Sequence, residues 1–228
     1  MTKQAIILAG GKGKRLYPLT KFLPKPLVKV TIKPFIYYIL KQLEYFKFKE
    51  VIILAGYKSI KFVNFKKKYQ KDFSLKINII NQPVNWETGK RIYKIKNKIN
   101  DFFCLLYGDN LVNINKNYFK KKINKVIIQS KKLAKEKGNI KIKDKMIVGY
   151  DQKRINNFNY VELGYFCLFK KDIFNLMDNK NYSFSDIIFK LVKKKKLNFS
   201  LTKSKYLSIT DEKGLLKTNK GIKRYFRH

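Results

Sequence analysis

Seven residues near the start of the chain have the types and spacing to hold a polyphosphate. Gly10, Gly11 and Gly13 follow an apolar run, with Lys12, Lys14, Arg15 and Lys25 among and behind them. Glycines let the backbone approach an anion closely and turn its N–H groups inward, while the cations supply countercharge. Two common phosphate loops are excluded. Read from Gly11, a dinucleotide fingerprint fails at Leu16, and a Walker A loop fails at Leu8, five residues before Gly13. Pro18, Pro24, Pro26 and Pro34 are four of the five prolines in the chain, and they forbid a helix directly behind the glycines. The result is a stiff, irregular segment suited to fixing Lys25. A glycine turn followed by a surface loop is the plainer alternative.

The elements around this loop read as an alternation. Gln4–Leu8 is an apolar strand, Phe35–Phe46 a helix starting after Pro34, and Glu50–Ala55 a buried strand. Ile60–Tyr69 reads as a helix, Leu75–Ile80 as a strand, Thr88–Ile99 as a helix and Asp101–Tyr107 as a strand. Strand and helix in turn make a doubly wound α/β domain with a largely parallel sheet. Ligands of such sheets gather at the carboxyl ends of the strands. Four ends stand out and should cluster: Ala9–Arg15, Gly56-Tyr57, Asn81-Gln82-Pro83 and Gly108-Asp109. Beyond them Lys125–Gln129, Ile140–Ile142, Met146–Tyr150, Tyr160–Phe169 and Leu197–Thr202 read as strands, some antiparallel. Phe184–Lys195, with Ser183 as N-cap, and Asp211–Tyr225 read as helices.

Composition bounds the partners. The net charge is +38, from 53 basic and 15 acidic residues, an excess that ordinarily points to nucleic acid or anionic membrane. Only five of the basic residues are arginines, and Lys, Asn, Ile, Phe and Tyr abound, as AT-rich coding favours. The basic residues also spread along the whole chain. The reading is a solvated basic surface that binds polyanions weakly and in a salt-sensitive way, with no specific nucleic-acid partner. No apolar run reaches the roughly 18 residues of a membrane span, so no membrane insertion is expected. Met1–Leu8 is too short for a secretory signal. Cys104 and Cys167 lie in apolar runs and read as buried free thiols, which suits a cytoplasmic protein. The lone histidine, His228, reads as non-catalytic.

The stretch L-A-G-G-K-G-K-R-L-Y-P-L-T followed by P-K-P-L, Leu8 to Leu27, resembles the sugar-phosphate nucleotidylyltransferase family at every position its signature demands. Weaker resemblance continues in NQPVNWETG (Asn81–Gly89), FFCLLYGDN (Phe102–Asn110), YVELGYFCLF (Tyr160–Phe169) and YLSITDEKGLLKTN (Tyr206–Asn219). It implies a Rossmann-like three-layer α/β/α fold with a mixed, mostly parallel central sheet, of the nucleotide-diphospho-sugar transferase type. It further implies one domain over residues 1–228, with a nucleotide half (1–110) and a sugar half (111–228).

The chemistry the resemblance implies is nucleotidyl transfer. A sugar 1-phosphate attacks the α-phosphorus of a nucleoside triphosphate, pyrophosphate leaves, and the NDP-sugar serves surface glycan synthesis. That reaction depends on positioning and charge neutralisation. By resemblance, Leu8, Gly10, Gly11 and Gly13 hold the nucleotide and its phosphates. Arg15 faces the leaving pyrophosphate, and Lys25 bridges the reacting phosphates. Gln82 and Gly89 read the base. Asp109, with Asp211, holds Mg²⁺, and Asp151, Lys153 and Glu162 hold the sugar phosphate. Plainer roles stay open: Gln82 as a loop amide, Asp109 as a turn former, Glu162 as a structural carboxylate, Asp151 and Lys153 as solvated surface. A homo-oligomer is also open.

Two departures stand against the family pattern. Ser208 occupies the place of a second acidic metal ligand, with Asp211 three residues on. Lys90-Arg91 follow Gly89, where small residues are usual; long cations there would narrow the base pocket or add phosphate contacts. These departures keep in view a binding protein of the same fold without turnover; an enzyme acting on a non-sugar phosphate is a separate alternative, close to the sugar 1-phosphate reading.

Overall fold

A computed structural model describes residues 3–204 and 206–225; His228 lies outside them. The chain forms two compact units, and neither is a continuous stretch. The first is built from the chain up to Asn85, from Leu106–Leu111 and from Leu207 onward; the second takes Trp86–Leu105 and Val112–Tyr206.

In the first unit the expected alternation is present. Gln4–Ala9 pairs in parallel with Glu50–Ala55, from Gln4 opposite Glu50 to Ala9 opposite Ala55. Glu50–Ala55 pairs in parallel on its other side with Lys76–Asn81. The last residues of the strand Phe102–Tyr107 belong to this unit, and the Gly108 N–H just beyond them donates to Leu8 O at 3.1 Å. The helix Phe35–Tyr45 starts directly after Pro34 and buries Phe35, Ile36, Ile39, Leu40 and Leu43. That spacing is one apolar stripe at helical period, and each such side chain contributes roughly 1.5–3 kcal/mol by leaving water. The helix ends on a left-handed residue, Lys47 (φ 62°). Lys47 N–H donates to Glu44 O and Phe48 N–H to Leu43 O, the bonding that glycine usually makes possible.

In the second unit Tyr160–Phe169 runs antiparallel to Lys125–Ser130, whose other neighbour, Asn198–Leu201, is parallel. Ile140–Lys143 and Met146–Tyr150 form an antiparallel hairpin. Ser183 caps the helix Phe184–Lys193 with a full capping box to Asp186. This helix too stops at a left-handed lysine, Lys195 (φ 53°). Thr88–Ile99 is not one helix: Thr88–Tyr93 is helical, and Lys96–Lys98 is a separate tight turn. The period that suggested a single helix is real, since Ile92, Ile95 and Ile99 are all buried, but two turns satisfy it. Cys104 and Cys167 are buried free thiols with their Sγ atoms 3.3 Å apart. The mixed sheet flanked by helices is the α/β class that the alternation called for. Among the described residues, no helix is long and apolar enough to cross a membrane.

Candidate active site

The proline segment folds as three short 3-10 turns, Lys14–Leu16, Leu19–Lys21 and Lys25–Leu27. Gly13 sets their geometry. Its φ of +66° is left-handed, and a Cβ there would lie 3.1 Å from Lys25 Cβ and 3.2 Å from Thr20 Cγ2. Thr20 Oγ1 donates to Gly13 O at 3.0 Å and locks the turn. Lys25 is thereby buried (8% exposed). Its Nζ donates to Asp109 Oδ2 at 3.1 Å and to Thr210 O at 3.4 Å. Asp109 arrives by the same close packing. A Cβ on Gly108 would lie 2.9 Å from Leu8 O and 3.0 Å from Pro26 Cγ, so a glycine is needed for the strand end to come this near.

The four strand ends meet, as expected. Tyr57 N–H donates to Gly10 O at 3.1 Å, Gln82 N–H to Ala55 O at 3.0 Å, and Gly108 N–H to Leu8 O. Tyr57 also donates its hydroxyl to Lys21 O and ties the proline segment to the next strand end. Gly11 is exposed, and a Cβ there would meet nothing within 4 Å, so space lies open above the loop. Arg15 is exposed on the first turn, and Leu8 is half-buried in its strand. Gln82 is buried and lines a cavity of about 470 Å³ together with Gly56, Lys58, Ser59 and Asn81.

The closing segment reaches Asp109 from another direction. Leu207 lies opposite Leu111 and Ser208 opposite Asn110, and Ile209 N–H donates to Asp109 O at 3.0 Å. Ser208 therefore stands on the strand paired beside Asp109. Its Oγ contacts Thr210 Oγ1 at 2.5 Å, and its carbonyl accepts from Thr218 Oγ1. Asp211 Oδ1 accepts from Gly214 N–H at 2.8 Å, in the first turn of the helix Glu212–Tyr225. Thr210, whose carbonyl receives Lys25, had no signal in the sequence beyond its place in the closing motif.

Mg²⁺ asks for one or two carboxylates with phosphate and water completing the shell. Among the described residues, no three His, Cys, Asp or Glu side chains group as a metal site. One carboxylate, Asp109, fits an ion that draws its other ligands from phosphate and water, not one enclosed by protein.

The other candidates lie in the second unit. Gly89 packs under Tyr182, whose ring a Cβ would meet at 2.5 Å, and its N–H donates to Tyr182 O. The cations after it are engaged with Trp86: Arg91 is buried with Nε on Trp86 O at 2.9 Å, and Lys90 Nζ lies 5.2 Å from the Trp86 ring. Burial draws the Arg91 pKa down. Asp151 Oδ1 accepts from Lys153 N–H and Arg154 N–H, and its Oδ2 from the Asn156 backbone and side-chain amides. Those donors, the Asn156 backbone first, hold its carboxyl below the usual range. Glu162 is buried, and its Oε2 accepts from Gly164 N–H at 2.8 Å. Lys153 is exposed.

Comparison with known proteins gives the family and the fold. The family model described as "Nucleotidyl transferase" matches residues 4–208. The chain is 29% identical over 207 residues to the "Probable glucose-1-phosphate cytidylyltransferase" of Bacillus subtilis, covering 80% of this chain and 81% of that protein. It is 26% identical over 201 residues to the D-glycero-alpha-D-manno-heptose 1-phosphate guanylyltransferase of Campylobacter jejuni, covering 85% and 88%. The structure of the inositol-1-phosphate CTP transferase from T. maritima superposes with a TM-score of 0.81 at 18% identity, covering 99% of this chain and 97% of that one, a likeness of fold.

Proposed function

The chain belongs to the nucleotidyl transferase family, and we propose that it transfers a nucleotidyl group from a nucleoside triphosphate to a sugar 1-phosphate, releasing pyrophosphate. The observation that carries this reading is the Lys25–Asp109 pair, held 3.1 Å apart where the glycine turn and the strand end meet. A phosphate arriving above Gly11 competes with Asp109 for the Lys25 ammonium, and Asp109 is then free to take a cation. Gly10, Gly11 and Gly13 would seat the triphosphate, and exposed Arg15 would face its leaving end with a bidentate fork. Gln82 would meet the base in its cavity. Mg²⁺, when bound, supplies charge neutralisation on the phosphates, and Asp109 is the residue that would hold it. For the sugar phosphate we place Lys153 as the contact, with Asp151 and Glu162 shaping the loop and strand. The activated sugar would serve surface glycan synthesis from the cytoplasm. The two named relatives use cytidylyl and guanylyl donors, so the family leaves the base open.

The test is pyrophosphate release with a matrix of nucleoside triphosphates and sugar 1-phosphates, plus inositol 1-phosphate. One productive pair is expected. No release with any pair, from protein shown to be folded, overturns the reading.

A second reading has its own observation. Ser208 and Thr210 pair their hydroxyls beside Asp109, where a carboxylate would strengthen a metal site, and Asp211 is engaged with Gly214. A nucleotide-binding protein without turnover would show calorimetric binding of a triphosphate and no pyrophosphate.

A further inference from the structure

The lysines that the sequence scatters along the chain are gathered by the fold at one rim of the second unit. Asn124 is the hub. Its Oδ1 accepts from Phe169 N–H at 2.7 Å, its Nδ2 donates to Asp172 Oδ2 at 2.8 Å, and its carbonyl accepts from Asn198 N–H at 2.9 Å. Asp172 Oδ1 in turn takes Lys196 Nζ at 2.9 Å, and Lys170 N–H donates to Asp101 O at 2.8 Å. Four separate segments, 96–101, 120–124, 169–172 and 193–198, are thus tied together. They carry the lysine runs 120–122 and 193–196, together with Lys96, Lys98, Lys170 and Lys171. All of these but half-buried Lys170 are exposed. The same segments hold two acids, Asp101 and Asp172, and Asp172 is already engaged by Lys196 and Asn124. A shallow depression of about 370 Å³ lies at the centre, with half-buried Ile123 and Phe169 in its lining.

We propose that this rim docks the protein on a negatively charged lipid bilayer, as a peripheral contact without insertion. Clusters of four to eight lysines on one surface gain about fivefold in partition per lysine on anionic headgroups. Ile123 and Phe169, which line the depression together with Lys171 and Lys196, offer apolar contact. A nucleic acid fits the rim less well. Single strands are held by stacking on exposed aromatic rings, and the rim's Phe169 is half-buried against Phe102, with ring centroids 5.0 Å apart. The rim also carries no arginine fork for phosphates or base edges. A basic run behind a helix also suits the helix C-terminus, so the test must separate local stabilisation and bulk charge from docking.

The full chain is sedimented with vesicles of phosphatidylcholine alone and with added phosphatidylglycerol, at about 100 mM salt. Two variants with equal net charge are compared. One replaces the six lysines at 120–122 and 193–195 with glutamine; the other replaces Lys61, Lys67, Lys71, Lys213, Lys217 and Lys220, all exposed lysines of the first unit. Circular dichroism and urea midpoints show that both remain folded. Wild type should partition at least tenfold better onto the anionic vesicles, and the rim variant should lose at least tenfold more partition than the control variant. Equal loss in both variants overturns the proposal in favour of bulk charge. Equal binding to neutral vesicles also overturns it. So does an RNA oligonucleotide that binds with the same rim dependence and displaces the vesicles.

Discussion

Asp109 in the first unit and Asp151 in the second are both partly exposed aspartates at the ends of strands, yet they use their oxygens in opposite ways. Asp109 Oδ2 holds one lysine ammonium. Asp151 accepts four N–H donors from the five residues that follow it. Glu162, on the strand Tyr160–Phe169, takes the Gly164 N–H two residues on. A carboxylate filled by its own backbone holds a shape, and moving it leaves several donors unmet. A carboxylate paired with one long, flexible cation can exchange partners when an anion arrives. The exchangeable charge is thus the Lys25–Asp109 pair, whereas the Asp151 and Glu162 carboxylates hold backbone N–H groups in place.

The largest effects should fall on the exchangeable pair. Lys25→Ala and Asp109→Ala are each expected to slow pyrophosphate release by about 10²–10³, the range for losing one preorganised electrostatic contact. Their urea midpoints should stay close to wild type. Near-normal rates in both variants would break the comparison at its first limb. Glu162→Ala should show the reverse pattern. Gly164 N–H loses its acceptor in a buried strand, which costs roughly 1–3 kcal/mol in urea unfolding, while the rate at saturating sugar phosphate falls less than tenfold. If the rate falls further than the stability does, Glu162 touches substrate.

Much of the first unit was legible because its signals are local. The run Gln4–Leu8, the three glycines and the four prolines sit within the first 34 residues, and strand ends converge by the rules of parallel sheets. The rest of the chain was harder to read for physical reasons. Helix ends ran long, at Phe46 and Lys195, because the usual stop residue, glycine, is replaced by Lys47 and Lys195 in left-handed conformation. Thr88–Ile99 kept a helical period while the backbone broke into two turns. The two-residue strands Asn110–Leu111 and Leu207–Ser208, which bring the closing segment onto Asp109, are too short to carry any periodicity. Ligand roles for Asp151 and Glu162 come from the family resemblance alone. Only the hydrogen bonds show that both Asp151 oxygens and Glu162 Oε2 accept backbone N–H groups.

Ser208 offers a way to sharpen the contrast. It pairs opposite Asn110, one residue beyond Asp109, and carries a hydroxyl where a charge would add to the site. Ser208→Asp is expected to lower the Mg²⁺ concentration for half-maximal activity several-fold, and to deepen Mg²⁺ binding by calorimetry in the presence of a triphosphate. No change in either would show that the strand aims position 208 away from the phosphates.

The smallest effect concerns pH. Asp172 is paired with Lys196, and with Asn124 this holds its carboxyl below the usual range; Asp151 is held there by its backbone donors. A carboxylate whose folded pKa is lowered adds stability that is fully present above its unfolded value of about 3.9. That stability is lost as pH falls through the folded value. Asp172→Asn and Asp151→Asn should therefore unfold at lower urea than wild type at pH 7, and the gap should close as pH falls below about 4. A gap for Asp151→Asn that stays constant between pH 7 and pH 3 would mean the asparagine loses packing and not charge, and Asp151 would no longer stand as the filled carboxylate opposite Asp109.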